Sequence, residues 1–336
     1  MAVVGNDVFT LAEYKSRTDA DGKIVPITEL LERQDEMLDD VPWVYANGPS
    51  AHKTTVRAGL PAISHRRFNK GIAATRSATA QVEFGMCQAA ARTELDYDLA
   101  NLGGNAGAVR LSEAKPHLSA MAQTVADTLI YGDPVANPTT DDDKVAGLHF
   151  FFKDNTTAPT KDHVITASGA GSDLSSIWIV AWGEDTVHGI VPPGLKMGLD
   201  HRDLGEGDAF DSSNRRFRAY MDEYKWNYGL CIRDWRAVVR ICNIDVSDLV
   251  STVANQQALT NYVIQGLSKI PSQYRSRAKI YGNSTVLTAW ELGQRADVKA
   301  GGGLTYENIN GQPVMSFRGR PVRTSNAITV AETTIS

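Results

Sequence analysis

Between Pro49 and Val82 the chain has no acidic residue, yet it carries six cations, Lys53, Arg57, Arg66, Arg67, Lys70 and Arg76. Immediately upstream, Thr28 to Asp40 reads TELLERQDEMLDD, six acids against one Arg, in a chain whose formal charge is only -5. Opposite charges are sorted into adjacent segments. Neither segment is apolar enough to build a core of its own. Each therefore needs a surface supplied by another copy, with charge complementarity fixing the register. The expected contact residues between copies are Glu32, Asp35, Glu36 and Asp39 on the acidic side and the six cations on the basic side. This pattern points to an assembly protein before it points to an enzyme.

The bulk properties allow that reading. With 336 residues, the chain exceeds the usual size of a single core and suggests about two domains plus appendages. A pI near 5.8 argues against wholesale neutralisation of nucleic-acid phosphates. Cys87, Cys231 and Cys242 are odd in number, far apart and in no CxxC arrangement, which argues against both a disulfide framework and a zinc site. The most apolar stretch, Ile177 to Trp182, is too short to span a bilayer.

Local patterns divide the chain. Residues 1 to 48 read as a polar arm with one short helix from Thr28 to Leu38. Residues 49 to 90, rich in Thr, Val and Ala, read as a long two-stranded hairpin with its tip near Asn69 to Gly71, which needs a partner surface to be stable. In LSEAKPHLSAMAQTVADTLIYG, Leu118, Met121, Ala122, Val125 and Leu129 recur at helical spacing. Ser112 is the expected cap, Pro116 lies in the tolerated first turn, and Gly132 is the C-terminal stop. The stretches GLHFFF, DHVITAS, SSIWIVAWG, HGIVPPG and YKWNYGLCIRDWRAVVRIC read as strands. Two further helices are expected at Val246–Leu267 and Ser284–Arg295, with strand and turn from Gly311 to Ile328.

In this order, an acidic arm, a basic hairpin, one lone helix, a strand-rich middle and a closing NGQPVMSFRGRPVRTSNAI, the chain resembles the major capsid protein of tailed bacteriophages, with its Hong Kong 97-type fold. Phe317, Gly319, Pro321 and Val322 look like the family's C-terminal strand and turn, and SSIWIVAWGEDTVHGIVPPG looks like the central sheet of its axial domain. The resemblance implies an α+β fold with an N-terminal arm (1–48), an extended β-hairpin loop (49–90) and a peripheral domain with a long spine helix (91–144). It implies an axial domain with a central sheet (145–222 and 246–310), peripheral strands (223–245) and a C-terminal return to the peripheral domain (311–336). The implied function is an icosahedral shell around a phage double-stranded DNA genome. Its partners would be other copies in hexamers and pentamers, a portal, a decoration protein and packaged DNA contacted without sequence specificity. Some family members carry a long helical scaffold segment before the hairpin; about 50 residues stand there in this chain, so a separate scaffolding protein is expected. Assembly in the host cytoplasm and residence in the virion follow, with no cofactor and no membrane.

Other strings imitate chemistry. His201, Arg202, Asp203 and Leu204 match a kinase catalytic loop, but Asp208 stands where Asn is required and no Gly-rich loop accompanies them. Gly169, Ala170 and Gly171 follow a strand as a dinucleotide loop would, with Leu174 in the third glycine position. Asp141, Asp142 and Asp143 read as a solvated turn rather than a cation site, and Glu184, Asp185 and His188 as a hairpin turn. The tryptophans read as packing residues, and the basic hairpin lacks the interleaved aromatics of a nucleic-acid platform. No complete catalytic, metal or cofactor constellation emerges. A shell protein of an encapsulin-like nanocompartment, storing enzyme instead of DNA, is the alternative, and an α/β enzyme with no recognisable site the lesser one.

Overall fold

LSSIWIVA, Leu174–Ala181, is buried at all eight positions. A strand with both faces covered is read as continuous apolar sequence rather than alternation, and it belongs at the centre of a sheet with helices or strands packed on either side. The computed structural model describes residues 35–102, 104–135, 145–154, 156, 158–210, 213–296, 304–309 and 312–335. Along the chain its elements are α1 (Glu36–Asp40), β1 (Trp43–Tyr45), β2 (Ala51–Gly59), β3 (Ala78–Gly85), β4 (Cys87–Asp96), α2 (Tyr97–Asn101), α3 (Ala106–Tyr131) and α4 (Leu148–Phe151). They continue with β5 (Val164–Thr166), β6 (Leu174–Ala181), β7 (Val187–Val191), β8 (Leu199–Phe210), β9 (Arg216–Ile232), β10 (Val238–Asp245), α5 (Val246–Ser251) and α6 (Val253–Lys269). The last are α7 (Ser272–Arg275), β11 (Ala278–Gly282), α8 (Ser284–Ala296), β12 (Leu304–Ile309), β13 (Gln312–Phe317) and β14 (Arg320–Thr324).

Two compact units share these elements. The larger comprises Glu36–Cys87, Asp127–Leu195 and Tyr228–Ser336. Its seven-stranded sheet has the order β12-β13-β14-β11-β6-β10-β5. The central strand β6 pairs antiparallel with β10 and β11, while β5 and β14 are added in parallel. In α6, Leu259, Val263 and Leu267 are buried, and Gly266 lets the helix approach Ile179 of β6. Trp290 of α8 is fully buried, donates from Nε1 to Thr260 Oγ1 at 2.9 Å and packs on Phe317 with ring centroids 5.2 Å apart. Trp178 and Trp182 are buried as well, so these three indoles are packing residues, two of them in the strand context that suggested it and Trp290 on a helix.

The smaller unit comprises Gln88–Ala126 and Lys196–Asn227 together with the N-terminal side of the chain, of which Asp35 is described. Here β8 and β9 form an antiparallel ladder from Leu199↔Trp226 to Phe210↔Arg216, shifted at Asp203/Gly205, where Gly205 takes a φ of 75°. The kinase-like string His201–Leu204 is part of this ladder. Arg110 holds Asp222 through two bonds, at 3.1 and 2.7 Å, and reaches Asp203 at 2.8 Å. His201 Nε2 lies 2.9 Å from the same Asp222 carboxylate, and its ring stacks on Tyr224. Asp203 directly, and His201 through Asp222, thus help tie the hairpin to the helix α3.

The structure corrects five local readings. The helix α3 begins at Ala106, after Gly104 (φ 68°) and Asn105, whose Oδ1 accepts from Ala108 N at 3.2 Å. Ser112 therefore lies inside the helix, with its hydroxyl donated to Val109 O, and Pro116 is an interior proline at an exposed position. Gly132 does end the helix, but through close approach rather than a left-handed turn: a Cβ there would meet Val145 O at 2.1 Å and Thr128 O at 2.5 Å. GLHFFF forms the helix α4 instead of a strand, because Leu148 and Phe152, four residues apart, are the ones fully buried. The single helix expected over 246–267 is broken at Thr252, extended at φ -129°, ψ 116°, where Ser, Thr and Val stand in succession as poor helix formers. Finally, Glu184–His188 does not turn a hairpin. It carries the chain from the seven-stranded sheet to β7, a strand of the other sheet, whose neighbours are β1 and β9.

The buried stripe of α3 (Met121, Val125, Leu129, with Ala126 and Ile130) follows the sequence spacing. Replacing Gly132 with Ala drives a methyl group into two backbone carbonyls. The expected loss is about 1–3 kcal/mol or more, read as a lowered urea midpoint of the soluble subunit, whereas Ala120→Ser on the exposed face leaves that midpoint nearly unchanged.

Candidate functional site

The base of the basic hairpin is a regular ladder, β2 with β3, from Ala51↔Gly85 to Gly59↔Ala78. Beyond Gly59 the pairing stops. Residues 60–77 have no partner strand among the described residues and turn back at Asn69, with φ 61° and a bond from Lys70 N to Arg67 O. The tip is where the sequence placed it, but the ladder beneath it is shorter. Leu60, Ile63 and Phe68 are 84%, 91% and 95% exposed. Apolar side chains held this far out are what a surface awaiting a partner presents.

Of the sequence-derived contact residues, Arg57, Arg66, Arg67, Lys70 and Arg76 are all exposed and have no ion pair among the described residues. Lys53 faces Glu83 across the ladder at 2.7 Å with both side chains half exposed, a pair contributing about 0–1 kcal/mol. On the acidic side, Glu32 lies outside the described residues, as does the expected helix before residue 35. Asp35 is half-buried, and Asp39 is exposed. Glu36 is used within the subunit, pairing with Arg323 of β14 at 3.1 Å. The reason is mechanical: Met37 and Val41 are buried and anchor α1, so the flanking acids are carried to fixed partners. Asp40, which the charge pattern did not single out, accepts from Lys279 Nζ at 2.5 Å and from Tyr281 Oη at 2.7 Å. The two charge blocks are therefore not equivalent: the acidic block ends in an internal clamp, and the basic block projects outward.

Sequence reasoning missed the polar centre that holds the C-terminal segment. Arg240 of β10 is fully buried, with Nη2 on Glu332 at 2.9 Å, Nε on Ser176 Oγ at 3.0 Å, and Nη1 shared between Phe152 O and His149 Nδ1 at 3.0 and 2.8 Å. The guanidinium also lies over the Trp178 ring. Glu332 additionally accepts from the hydroxyls of Tyr131 and Ser176. The rest of the tail follows: Ser175 Oγ donates to Thr329 O, Glu332 N to Leu174 O, and Asn243 bonds Ile335 through both its amide oxygen and its amide nitrogen. A lone Arg in VVRIC and a Glu near the end of the chain carry no local pattern that would pair them.

The decoy glycines are equally structural. Gly169 donates to Asn243 O at 2.9 Å, and a Cβ there would lie 2.5 Å from that oxygen, so the glycine serves strand packing rather than a phosphate. Asp185 pairs with Arg277 at 2.9 Å. Asp141, Asp142 and Asp143 lie outside the described residues. The three cysteines are free thiols. No helix among the described residues is long and apolar enough to cross a membrane.

A central mixed sheet, one long helix and a projecting hairpin are the architecture of the Hong Kong 97 type, and the family to which the chain belongs makes it a shell-forming structural subunit. The family model for the major capsid protein GP7 matches residues 19–336. The chain belongs to that family. It is similar to a chain of bacteriophage Epsilon15, at 30% identity over 100% of this chain and 99% of that one, with a TM-score of 0.76. More remote likenesses are the bacteriophage JBD30 capsid (9% identity, 89% of this chain and 93% of that, TM-score 0.48) and the holo-SrpI encapsulin complex of Synechococcus elongatus PCC 7942 (10%, 70% and 95%, TM-score 0.46). Among curated proteins nothing matches the chain. It is a virion component and not an enzyme.

Because Arg240 always donates, His149 Nδ1 must accept and the ring must be neutral. Burial, then Arg240, holds His149 down to about 4, and burial likewise lowers His52, His163 and His188. Below the unfolded value of about 6.5 the unfolded chain takes up protons that these rings refuse, so stability is lost as pH falls from 6.5 toward 4. Chemical denaturation across that range should show the decline, and His149→Gln should remove a share of up to about 3 kcal/mol of it. Glu332→Gln, which leaves Arg240 buried without its counter-charge, should cost about 3–5 kcal/mol at pH 7 in the same assay.

Proposed function

We propose that the subunit forms the hexamers and pentamers of an icosahedral shell around phage double-stranded DNA, and that the hairpin is the strap that lies across the neighbouring copy. The observation that carries this reading is the segment 60–77. It is extended and unpaired among the described residues, and it presents Leu60, Ile63 and Phe68 with Arg66, Arg67 and Lys70 to the outside. Apolar anchors surrounded by cations suit a partner surface with an apolar floor and an acidic rim.

In this assignment residues 1–48 are the arm and 49–90 the extended loop. The helix α3 is the spine of the peripheral domain, and β6 and β11 with α6 and α8 are the heart of the axial domain; β10, β13 and β14, from segments expected in the peripheral domain, pair into that same sheet. Asp39 and the acidic residues upstream of α1, Glu32 and Asp35 among them, are the counter-surface for a neighbour's loop. A separate scaffolding protein, a portal and a decoration protein complete the particle, which is assembled in the host cytoplasm. With a net charge of -5 the subunit suits loose, sequence-independent contact with packaged DNA.

Expressed alone or with its scaffold, the protein should give closed shells or capsomers in negative-stain microscopy. A protein that stays monomeric under all such conditions overturns the reading. The triple change Arg66→Glu, Arg67→Glu, Lys70→Glu should block shells while leaving the subunit's thermal unfolding nearly unchanged. Each exposed pair contributes only about 0–1 kcal/mol, but the contact is repeated around every closed ring. High salt should weaken wild-type assembly in the same direction. Normal shells from the triple variant would remove the hairpin from the contact.

A further inference from the structure

His188 of β7 and Cys231 of β9 are direct cross-strand partners and both are buried. The hairpin strand β2 brings His52 to the same place, its ring edge-on to His188 with centroids 5.7 Å apart. One ligand atom from each of the three lies within 4.8 Å of the others. A second observation is independent of this clustering. His188 is only 3% exposed, and its Nδ1 has no hydrogen-bond partner among the described residues, although the Gly183 carbonyl lies near enough to the ring to favour its protonation. Buried polar atoms are almost always paired, so an orphan of this kind marks a place where a partner is missing.

We propose that His52, His188 and Cys231 form a binding site for a divalent transition metal of the zinc class. Two imidazoles and one thiolate select a borderline-soft ion such as Zn2+ or Co2+ over the oxygen-seeking Mg2+ and Ca2+. Tetrahedral Zn–N and Zn–S bonds of about 2.0–2.3 Å place donor atoms roughly 3.3–3.7 Å apart. From separations within 4.8 Å, the three donors therefore have to close by about 1.5 Å at most, within reach of side-chain rotation. A fourth position is left for water or an exogenous ligand.

The surroundings are consistent with a site that is ready for a metal but not pre-charged. Burial lowers the basicity of both imidazoles, with Arg233 acting in the same direction, so both rings are neutral at neutral pH. Burial also pushes the Cys231 thiol up to about 12, so the incoming ion displaces one proton from sulfur to solvent as the metal–thiolate bond forms. The field has both signs: Arg233 opposes a cation, while Glu184 favours positive charge at His188. Coordination through His52 has one contact to displace, the long 3.3 Å bond from Asn47 N to His52 Nδ1. The ion would fasten the base of the projecting hairpin to the β7–β9 pair, at the point where a strap needs a fixed root. Cysteine spacing, which argues against a zinc site, does not bear on this cluster, because only one of its three donors is a cysteine and the two histidines lie far from it in the sequence.

Full-length protein, stripped with chelator and titrated with Co2+, tests the proposal in both the dissociated and the assembled form. The expected result is one Co2+ per subunit with a thiolate-to-cobalt charge-transfer band and tetrahedral d–d absorption. The charge-transfer band should vanish in Cys231→Ser and persist in Cys87→Ser and Cys242→Ser. His52→Ala, at the less buried ligand, should retain a charge-transfer band but bind Co2+ at least tenfold more weakly, which keeps the test decisive should Cys231→Ser fail to fold. No band in the wild type at millimolar Co2+, a band that survives in Cys231→Ser, or unaltered affinity in His52→Ala would each overturn the site.

Discussion

A fully buried guanidinium lies beside the middle of the large sheet. Arg240 reaches Glu332, Ser176, His149 and the Phe152 carbonyl, so its guanidinium is satisfied by groups from three different segments at once. A buried charge without partners is prohibitively costly, and even a paired one is a weak source of net stability. Its effect is specificity. It requires the C-terminal segment, the helix α4 and the strands β6 and β10 to be present together before any one of them is comfortable. Tyr131, donating to Glu332 from the end of α3, extends the requirement to the terminus of the long helix.

That internal commitment explains why so much charge is left for the outside. Asp40 and Glu36, the two ends of α1, are held by Lys279 and Arg323, which fixes this helix against β11 and β14. The hairpin begins a few residues later with a well-formed ladder and then runs out of partners. Apart from Lys53, its cations have no ion-pair partner among the described residues, and its Leu60, Ile63 and Phe68 are exposed there. On the proposed reading folding and assembly are separated: the buried network specifies the fold of the subunit, and weak contacts repeated by symmetry hold the shell.

The root of the hairpin is where the two regimes meet. His52 comes from the strap, while His188 and Cys231 come from the sheet, and their three donor atoms converge where the strap leaves the sheet. An interaction at this point stiffens the hairpin's base without touching its tip. The lowered basicity of His52, His149, His163 and His188 has a further consequence: four rings in the larger unit are kept neutral by burial, so acid weakens that unit through several groups acting in one direction.

Much of this was legible from the linear pattern because it depends on local chemistry. The short apolar run around Ile177–Trp182 read as a strand, the spacing of Met121, Val125 and Leu129 read as one face of a helix, and the acid-free residues 49–82 lacked the apolar content to bury themselves. The order of those pieces was enough to suggest the family. Where a helix starts, by contrast, was decided by Gly104 and Asn105 in three dimensions, and GLHFFF became helical because Leu148 and Phe152 had to face the same core. The pairing of Arg240 with Glu332, the clamp on Asp40 and the meeting of His52, His188 and Cys231 join residues far apart in the chain. No spacing rule reaches across such separations; only the strand order and the register of β6, β7, β9 and β10 bring those groups within bonding distance.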